Sequence, residues 1–196
     1  MDYKETYNSQ LKEPFVSAEL KNGYWYQQLN KGILVNLLNK SQLLIRWMQV
    51  DDLPFIFDLE QQIFLSPWTV ESFLYEIYNR NYNVSIVGLI EQQLVSYAVS
   101  YLICDEMHIS NLAVAPKFRR LKIGETMLSA TLQIGKEKNC KIAQLEVRKS
   151  NKAAISLYQK YGFKLISVRK NYYQKEKEDA LLMNRKIDKG GIYGMV

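Results

Sequence analysis

Residues 107–125 read MHISNLAVAPKFRRLKIGE, and this stretch decides the fold. Residues 107–114 alternate and carry branched apolar side chains, which predicts a β-strand that ends at Pro116. A basic turn follows, and apolar residues then recur at helical spacing from about Lys122 to Lys138. A strand that leads through a basic turn into a helix presents free backbone N–H groups and the positive end of the helix dipole, which is typical of an anion-binding site. Taken alone, the same pattern also fits an ordinary turn with a solvated basic loop.

The segments on either side of this unit alternate between strand and helix patterns. Strand patterns occupy residues 43–48, 84–91, 94–104, 141–148, 163–173 and 180–187. Helix patterns begin at the candidate caps Asp51 and Thr69, and a short one covers residues 152–161 before Gly162. This order predicts an α/β (α+β) fold in which a mixed central β-sheet carries helices on both of its faces.

The chain has 196 residues, which fits one domain and a modest extension. Residues 1–43 are rich in Asn, Gln and Lys and show no sustained periodicity. We expect them to form an N-terminal extension that is partly helical or partly disordered, with a role that the pattern does not indicate. Residues 44–187 form the predicted domain, and residues 188–196, with three glycines, are expected to be a flexible tail.

Composition excludes several classes of protein. His108 is the one histidine of the chain, so a site with several histidines is excluded and a Ser-His-Asp triad would have to use it. Cys104 and Cys140 form no spaced cluster, which argues against a zinc site and a disulfide framework, and no metal is expected.

No apolar run approaches the roughly 20 residues of a membrane helix, and residues 1–5 lack the apolar stretch of a secretory signal. We therefore expect a cytoplasmic protein without membrane contact.

The formal net charge of the chain is +6. This charge fits either simple solubility or attraction to an anion such as a nucleotide, a nucleic acid or a ribosome. The basic residues are dispersed and no RNA-binding module signature is present, so we expect no direct contact with nucleic acid. Nothing in the pattern indicates an oligomeric state.

Three polar residues that follow the long helix are candidates for chemistry. Glu146 lies near the end of a predicted strand, where it is either a general base or a strand carboxylate that faces water. Tyr158 lies on the next helix and is either a general acid or part of the core. Asn151 either caps that helix or binds a ligand.

Over about three quarters of its length, the chain resembles the Gcn5-related N-acetyltransferase (GNAT) fold. Residues 119–124 resemble the Q/R-x-x-G-x-G/A pyrophosphate loop of that superfamily, with Lys122 at the position of the first glycine. Within the superfamily, the chain is similar to the bacterial ribosomal-protein alanine N-acetyltransferases of the RimI type. The motifs that carry this similarity are Ser66-Pro67-Trp68-Thr69, Asn111 to Pro116, Leu145-Glu146-Val147-Arg148, Ser150-Asn151, Ala153-Ala154, Leu157-Tyr158, Gly162-Phe163, Arg169 to Tyr173 and Glu178-Asp179-Ala180.

The resemblance implies acetyl-CoA as the co-substrate and no metal. The backbone of Leu112, Ala113 and Val114 is expected to pair with the pantetheine arm, as an added strand does. The pyrophosphate is expected in a cradle made by Arg120, Leu121, Lys122, Ile123, Gly124 and Glu125, with Asn151 holding the coenzyme. If the position of Lys122 requires a positive φ, lysine there lowers the stability of the fold by about 1 kcal/mol relative to an unstrained residue.

The resemblance also implies that Glu146 is the general base and Tyr158 the general acid. The implied acceptor is the N-terminal α-amine of a ribosomal or other protein, with alanine as its first residue. Tyr172 or Tyr173 is expected to wall the slot for that residue, and Glu178 and Asp179 are candidates to line the groove. The alternatives are a lysine or small-molecule acceptor, or a fold that binds coenzyme A without catalysis, which the presence of both candidate catalytic residues disfavours.

Overall fold

The computed structural model describes residues 25–37 and 40–187. Within them, the strands are β1 (Ile33–Asn36), β2 (Gln42–Trp47), β3 (Asn83–Ile90), β4 (Gln93–Ile103), β5 (Glu106–Val114), β6 (Ile142–Arg148), β7 (Lys164–Tyr173) and β8 (Glu178–Lys186). The α-helices are α1 (Trp25–Gln28), α2 (Leu53–Ile63), α3 (Val70–Tyr78), α4 (Ile123–Glu137) and α5 (Lys152–Lys160). Short 3-10 turns occupy Val50–Asp52 and Pro116–Phe118.

The described strands form one mixed sheet in the order β1-β2-β3-β4-β5-β6-β8-β7. Strands β5 and β6 pair in parallel, and the other neighbours pair antiparallel. A parallel pair needs a long crossover connection, and helix α4 lies in that connection. The mixed sheet predicted from the order of the elements is confirmed.

Helices cover both faces of the sheet, as predicted. On one face, Ile123, Met127 and Ile134 of α4 belong to the same buried cluster as Met107 of β5 and Leu145 of β6. On the other face, Ile56 of α2 and Phe73 of α3 pack with β-strand residues such as Val87, Tyr97 and Val99. Burial of apolar side chains against both faces is the main source of stability for such a sheet.

Local signals explain where the helices begin and end, with one correction. Thr69 caps α3 because its hydroxyl accepts the backbone N–H of Ser72 at 3.3 Å. Gly162 follows α5 with φ +80°, a conformation that glycine adopts without strain. The expected cap at Asp51 is wrong: Asp52 stands at the start of α2, and its carboxylate pairs with Arg46 at 2.7 Å instead of capping the helix.

The packed unit begins earlier in the chain than the boundary expected after residue 43. Strand β1 pairs with β2, and Trp25, Leu29 and Ile33 are buried in the main core. The carboxylate of Glu137 on α4 accepts the backbone N–H groups of Trp25 and Tyr26 at 2.9 and 3.0 Å, which fixes the first turn of α1. Residues 25–37 are therefore part of the folded unit, whereas residues 1–24 and the expected tail at 188–196 lie outside the described residues.

Candidate active site

The candidate active site is a cleft that opens where β5 and β6 separate. The parallel pairing of the two strands ends at Ile109 and Leu145, and the cleft lies beyond this point. Its volume is about 160 Å³. The residues that line it are Glu60, Phe64, Ser66, Trp68, Ile109, Ser110, Asn111, Leu112, Glu146, Val147, Arg148, Asn151, Ala154, Tyr158 and Tyr173.

A β-bulge in β5 accounts for the separation of the two strands. Val99 of β4 pairs with Asn111, whereas the next residue, Ser100, pairs with Ile109, so Ser110 is an extra residue in β5. A bulge bends the strand that carries it and increases its twist. Beyond the bulge, residues 111–114 stay paired with β4 and leave β6, which opens one edge of β5 towards the cleft.

Glu146 projects into this cleft from β6. Its carboxylate is 27% exposed, and its Oε1 atom lies 2.9 Å from Nη1 of Arg169 on β7. The side chain of Arg169 is 50% exposed, so this ion pair is accessible to solvent and contributes little to stability. A carboxylate that is anchored on one oxygen and borders an open cleft can accept a proton from a group bound there.

Tyr158 reaches the same cleft from α5. The side chain is buried, and its ring lies 5.7 Å from that of Phe163. Burial, together with the neighbouring Tyr173, raises the pKa of Tyr158 well above the ordinary value of a phenol. The phenol therefore keeps its proton at neutral pH and can act as a hydrogen-bond donor.

Asn151 lies at the start of α5 and also lines the cleft. Its Oδ1 atom accepts the backbone N–H of Ala154 at 3.1 Å, so the residue caps the helix. The capping role considered from the sequence is confirmed. The position in the cleft leaves ligand binding as a prediction, because a cap uses only the side-chain oxygen.

The expected coenzyme strand lies on the open edge of β5. Leu112 lines the cleft, whereas the side chain of Ala113 is buried among the residues of α2 and α3. Val114 ends the strand, and its backbone oxygen accepts Nε of Arg119 at 3.2 Å. This contact ties the basic loop to the end of β5.

The expected phosphate loop leads directly into α4. Arg120 and Lys122 have φ values of 68° and 63°, so the strained backbone conditionally expected at Lys122 is present. Ile123 is buried in the main core, and Leu121 packs against it. The backbone N–H groups in the first turn of a helix have no acceptor within the helix, so this loop offers donors to an anion.

Two further residues connect this loop to α5. Glu125 accepts Nζ of Lys160 at 2.6 Å. A Cβ atom at Gly124 would lie 3.6 Å from the side chains of Val114 and Leu157, which is ordinary van der Waals contact. The packing of the protein therefore does not require glycine at this position, and the close approach of a phosphate stays a prediction.

Glu60 is the residue of the cleft whose role the sequence did not reveal. It is fully buried, although the helical spacing indicated only that it lies on α2. Its Oε1 atom accepts the hydroxyl of Tyr97 and Nδ2 of Asn111, the latter at 2.9 Å, and its Oε2 atom accepts the backbone N–H of Trp68 at 2.7 Å. Burial, and then the charge of Glu60, raise the pKa of Tyr97. A glutamate among the apolar residues of an amphipathic helix was the signal available in the sequence.

The residues expected to border an acceptor are placed in different ways. Tyr173 lines the cleft, whereas Tyr172 is 47% exposed and is not among the lining residues. Glu178 and Asp179 do not line it, because their carboxylates accept the backbone N–H groups of Ser150 and Asn171 at 2.6 and 3.0 Å. These two carboxylates hold loops in place, so the prediction that they line the groove was wrong.

His108 lies outside the lining of the cleft. Its ring stacks on Tyr101 with the ring centres 4.7 Å apart, and Nε2 of Gln144 lies 2.8–2.9 Å from its ring nitrogens. In the part of the chain that the structure describes, His, Cys, Asp and Glu side chains form no group of three or more with the spacing of a metal site. Across residues 25–37 and 40–187, no helix has the length and apolar character needed to span a bilayer.

The parallel strands β5 and β6 separate beside the start of their crossover helix, which leaves an open strand edge next to the free N–H groups of a helix N-terminus. Residues 53–163 match the acetyltransferase (GNAT) family. The chain belongs to this family and is an acetyl-CoA-dependent N-acetyltransferase.

Similar proteins include enzymes that modify a ribosomal protein. The putative [ribosomal protein bS18]-alanine N-acetyltransferase of Bacillus subtilis is 35% identical over 144 residues, which are 74% of this chain and 95% of that protein. The [ribosomal protein bS18]-alanine N-acetyltransferase of Salmonella typhimurium is 30% identical over 138 residues, which are 69% of this chain and 92% of that enzyme. The crystal structure of the ribosomal-protein-S18-alanine N-acetyltransferase from Escherichia coli matches with a TM-score of 0.69 and 28% identity, and the match covers 79% of this chain and 99% of that one. The similarity to the RimI type is thereby confirmed.

Proposed function

We propose that this protein acetylates the α-amine of a protein N-terminus, with the alanine of ribosomal protein bS18 as its acceptor. The observation that supports this most strongly is the match to the Bacillus subtilis relative, because it is 35% identical and covers 95% of that protein. A match that spans nearly the whole of the relative is not confined to one part of the fold. The acceptor in the names of the relatives is therefore the first one to test.

In this proposal, Glu146 is the general base. The amine must lose a proton because only its neutral form attacks the carbonyl carbon of the thioester, which forms the C–N bond and breaks the C–S bond. An α-amine has a reference pKa of about 7.7–8.0, compared with about 10.4 for lysine. A useful fraction of an α-amine is thus already neutral at pH 7, and Glu146 takes the proton directly or through one water molecule.

Tyr158 is the proposed general acid. The sulfur that leaves the carbonyl carbon carries a negative charge until it gains a proton. Tyr158 lines the same cleft as Glu146 and holds its proton firmly, since burial raises the pKa of its phenol. Its hydroxyl group is therefore protonated and can donate a hydrogen bond to the sulfur as negative charge develops there. The raised pKa also makes the phenol a weaker acid, so this hydrogen bond, more than full transfer of the proton, is how it would stabilise the departing sulfur.

The proposed site for acetyl-CoA runs along the open edge of β5 to the start of α4. The free edge at residues 112–114 can pair with an extended arm as a further strand would. The loop at residues 120–125 offers backbone N–H groups and the charges of Arg120 and Lys122 to the pyrophosphate. Asn151 faces the same cleft and would hold the coenzyme near the reacting carbonyl.

The acceptor would enter from the opposite side of the cleft. Phe64, Ser66 and Trp68 of the α2–α3 loop and Tyr173 of β7 line the cleft, and we assign them to this side. Aromatic walls leave space for a small first residue such as alanine, and steric exclusion of larger side chains is an effective filter.

The test compares a basic peptide that begins with alanine with the same peptide whose N-terminus is blocked and whose lysines are free. We expect acetylation of the α-amine of the first peptide and little modification of the second, with mass spectrometry locating the acetyl group. Transfer to lysine in the blocked peptide at an equal rate would contradict the proposal and favour a lysine acetyltransferase.

A further inference from the structure

Glu176, in the turn between β7 and β8, is bound to two other elements of the acceptor side. Its Oε1 atom accepts Nη2 of Arg148 at 2.8 Å and the hydroxyl of Ser66 at 3.4 Å. Arg148 ends β6, and Ser66 lies in the α2–α3 loop, so one carboxylate connects three separate parts of the chain. The side chains of Arg148 and Glu176 are only 19% and 9% exposed. Removing one partner of an ion pair this buried leaves the other charge without compensation.

Arg148 also contacts Tyr173, which lies near the candidate acid Tyr158. The guanidinium of Arg148 lies 4.0 Å from the centre of the ring of Tyr173, which is close enough for a cation–π interaction. Tyr173 lines the cleft and contributes to the raised pKa of Tyr158, so the two phenols are near each other. The orientation of Tyr173 therefore depends on Arg148, and the position of Arg148 depends on Glu176.

We propose that Glu176 is a positioning residue that sets the width of the slot for the first side chain of the acceptor peptide. Glu176, Arg148 and Ser66 together form a clasp that holds the β7–β8 turn against the α2–α3 loop. Ser66, Trp68 and Tyr173 all line the cleft that would hold this side chain. This inference rests on the proposed peptide acceptor, and it assigns part of the selectivity to a residue that does not itself line the cleft.

The charge of Glu176 is what keeps the clasp closed. The hydrogen bond from Arg148 lowers the pKa of Glu176 below the ordinary value of a glutamate, so the carboxylate stays ionised at neutral pH. Glutamine has the same size, yet it cannot form the ion pair and so weakens the hold on Arg148 and Tyr173. The proposed coenzyme side, at residues 112–114 and 120–125, makes none of these contacts.

The experiment measures steady-state kinetics for the wild type, Glu176→Gln, Ser66→Ala and the double variant. Acceptors are two peptides that differ only in a first residue of alanine or leucine. For Glu176→Gln we expect KM for the alanine peptide to rise about tenfold while kcat falls no more than about threefold. The preference for alanine over leucine in kcat/KM should fall about tenfold, and KM for acetyl-CoA should stay within about twofold.

Two controls separate a clasp from a general loss of structure. Glu91→Gln makes the same chemical change on an exposed turn and should leave all constants unchanged. Ser66→Ala removes one hydroxyl and should shift the same constants in the same direction by about two- to threefold. Because both residues act through one clasp, the double variant should resemble Glu176→Gln rather than show the product of the two effects.

A folded Glu176→Gln protein with an unchanged peptide KM and unchanged selectivity overturns the clasp. An equal rise in KM for acetyl-CoA also overturns it, because the effect would then not be confined to the acceptor. If Glu176→Gln fails to fold, Ser66→Ala decides by the same criteria. A wild type that acetylates neither peptide contradicts the proposed function and the clasp together, whereas an active wild type with an unaffected variant contradicts the clasp alone.

Discussion

Glu146 and Tyr158 are the residues on which the proposed chemistry depends. Glu146→Gln keeps the shape of the side chain and removes the base, and Tyr158→Phe keeps the ring and removes the proton. Each change should lower kcat by about 10²–10⁴-fold if the group performs acid–base catalysis. Affinity for coenzyme A, measured by calorimetric titration, should change little because neither side chain lies in the expected phosphate loop.

Tyr161→Phe provides a matched control for Tyr158→Phe. Tyr161 is also buried and directly follows the last residue of the same helix, but it does not line the cleft. Its substitution should leave kcat near the wild-type value. Full activity in both Glu146→Gln and Tyr158→Phe would show that the catalytic pair is assigned incorrectly.

Lys122 adopts a left-handed backbone conformation where the resembling loops carry glycine. Its φ of 63° costs a non-glycine residue about 1 kcal/mol. Lys122→Gly should relieve this strain, so the melting temperature should stay constant or rise slightly. The same change removes a positive charge from the start of α4, and affinity for coenzyme A should fall by about two- to fivefold. Differential scanning calorimetry and titration measure the two effects separately.

Lys40→Gly is the control for this substitution, because Lys40 has a φ of 66° in the turn between β1 and β2. It should relieve strain in the same way and leave coenzyme affinity unchanged. Equal affinity of Lys122→Gly and the wild type would mean that the lysine side chain does not contact the phosphates.

The sequence was sufficient to predict that residues close together along the chain share one site. Glu146, Asn151 and Tyr158 belong to one strand–loop–helix unit, and the structure places all three at one cleft. The buried network around Glu60 was not predictable in the same way. The residues that donate to it, Trp68, Tyr97 and Asn111, lie 8, 37 and 51 residues away from it in the sequence. Only the packing of α2 against β4 and β5 brings these groups together.

At the scale of elements, Glu60 joins α2 and the α2–α3 loop to two strands of the sheet. Its two oxygens accept three donors, from Tyr97, Asn111 and the backbone of Trp68. Glu60→Gln replaces one oxygen with an NH₂ group, which must then face one of these donors. We expect the free energy of unfolding to fall by about 1–3 kcal/mol, because a buried polar group is left without a partner.

Urea unfolding and thermal melts measure this loss of stability. A loss of 1 kcal/mol should lower the melting temperature by about 2–4 °C in a chain of this size. Glu91→Gln, on an exposed turn, should leave it unchanged. A melting temperature of Glu60→Gln equal to that of the wild type would show that this network does not stabilise the fold.

At the scale of the whole molecule, alternation and helical spacing predicted most elements to within a few residues. Strand β1 was missed because four residues, Ile33–Asn36, are too few to show a period. The order β6-β8-β7 was also not predictable, because it depends on how the last two strands return to the sheet. The bulge at Ser110, which separates β5 from β6, has no signature in the local sequence.

Glu76 makes the stability of the whole molecule depend on pH. It lies on α3 against the sheet with 8% exposure, and burial raises the pKa of its carboxyl to about 7 from an ordinary value near 4.5. The folded protein therefore binds a proton that the unfolded chain has released between these two pH values. Linkage then requires the free energy of unfolding to fall as pH rises from about 4.5 to 7 and to level off above this range. The upper limit of this loss is roughly 3 kcal/mol.

Glu76→Gln isolates this contribution from the other groups that titrate in the same range, because glutamine resembles the protonated carboxyl at every pH. At pH 8 the variant should be more stable than the wild type by up to roughly 3 kcal/mol, and the difference should shrink towards zero near pH 4. Urea unfolding of both proteins at pH 4, 6 and 8 measures the difference directly, with Glu91→Gln as the exposed control. A difference that stays constant across this range, or grows as the pH falls, would mean that Glu76 is ionised in the folded protein throughout. The carboxylate would then need a compensating donor that the described residues do not provide for Oε2.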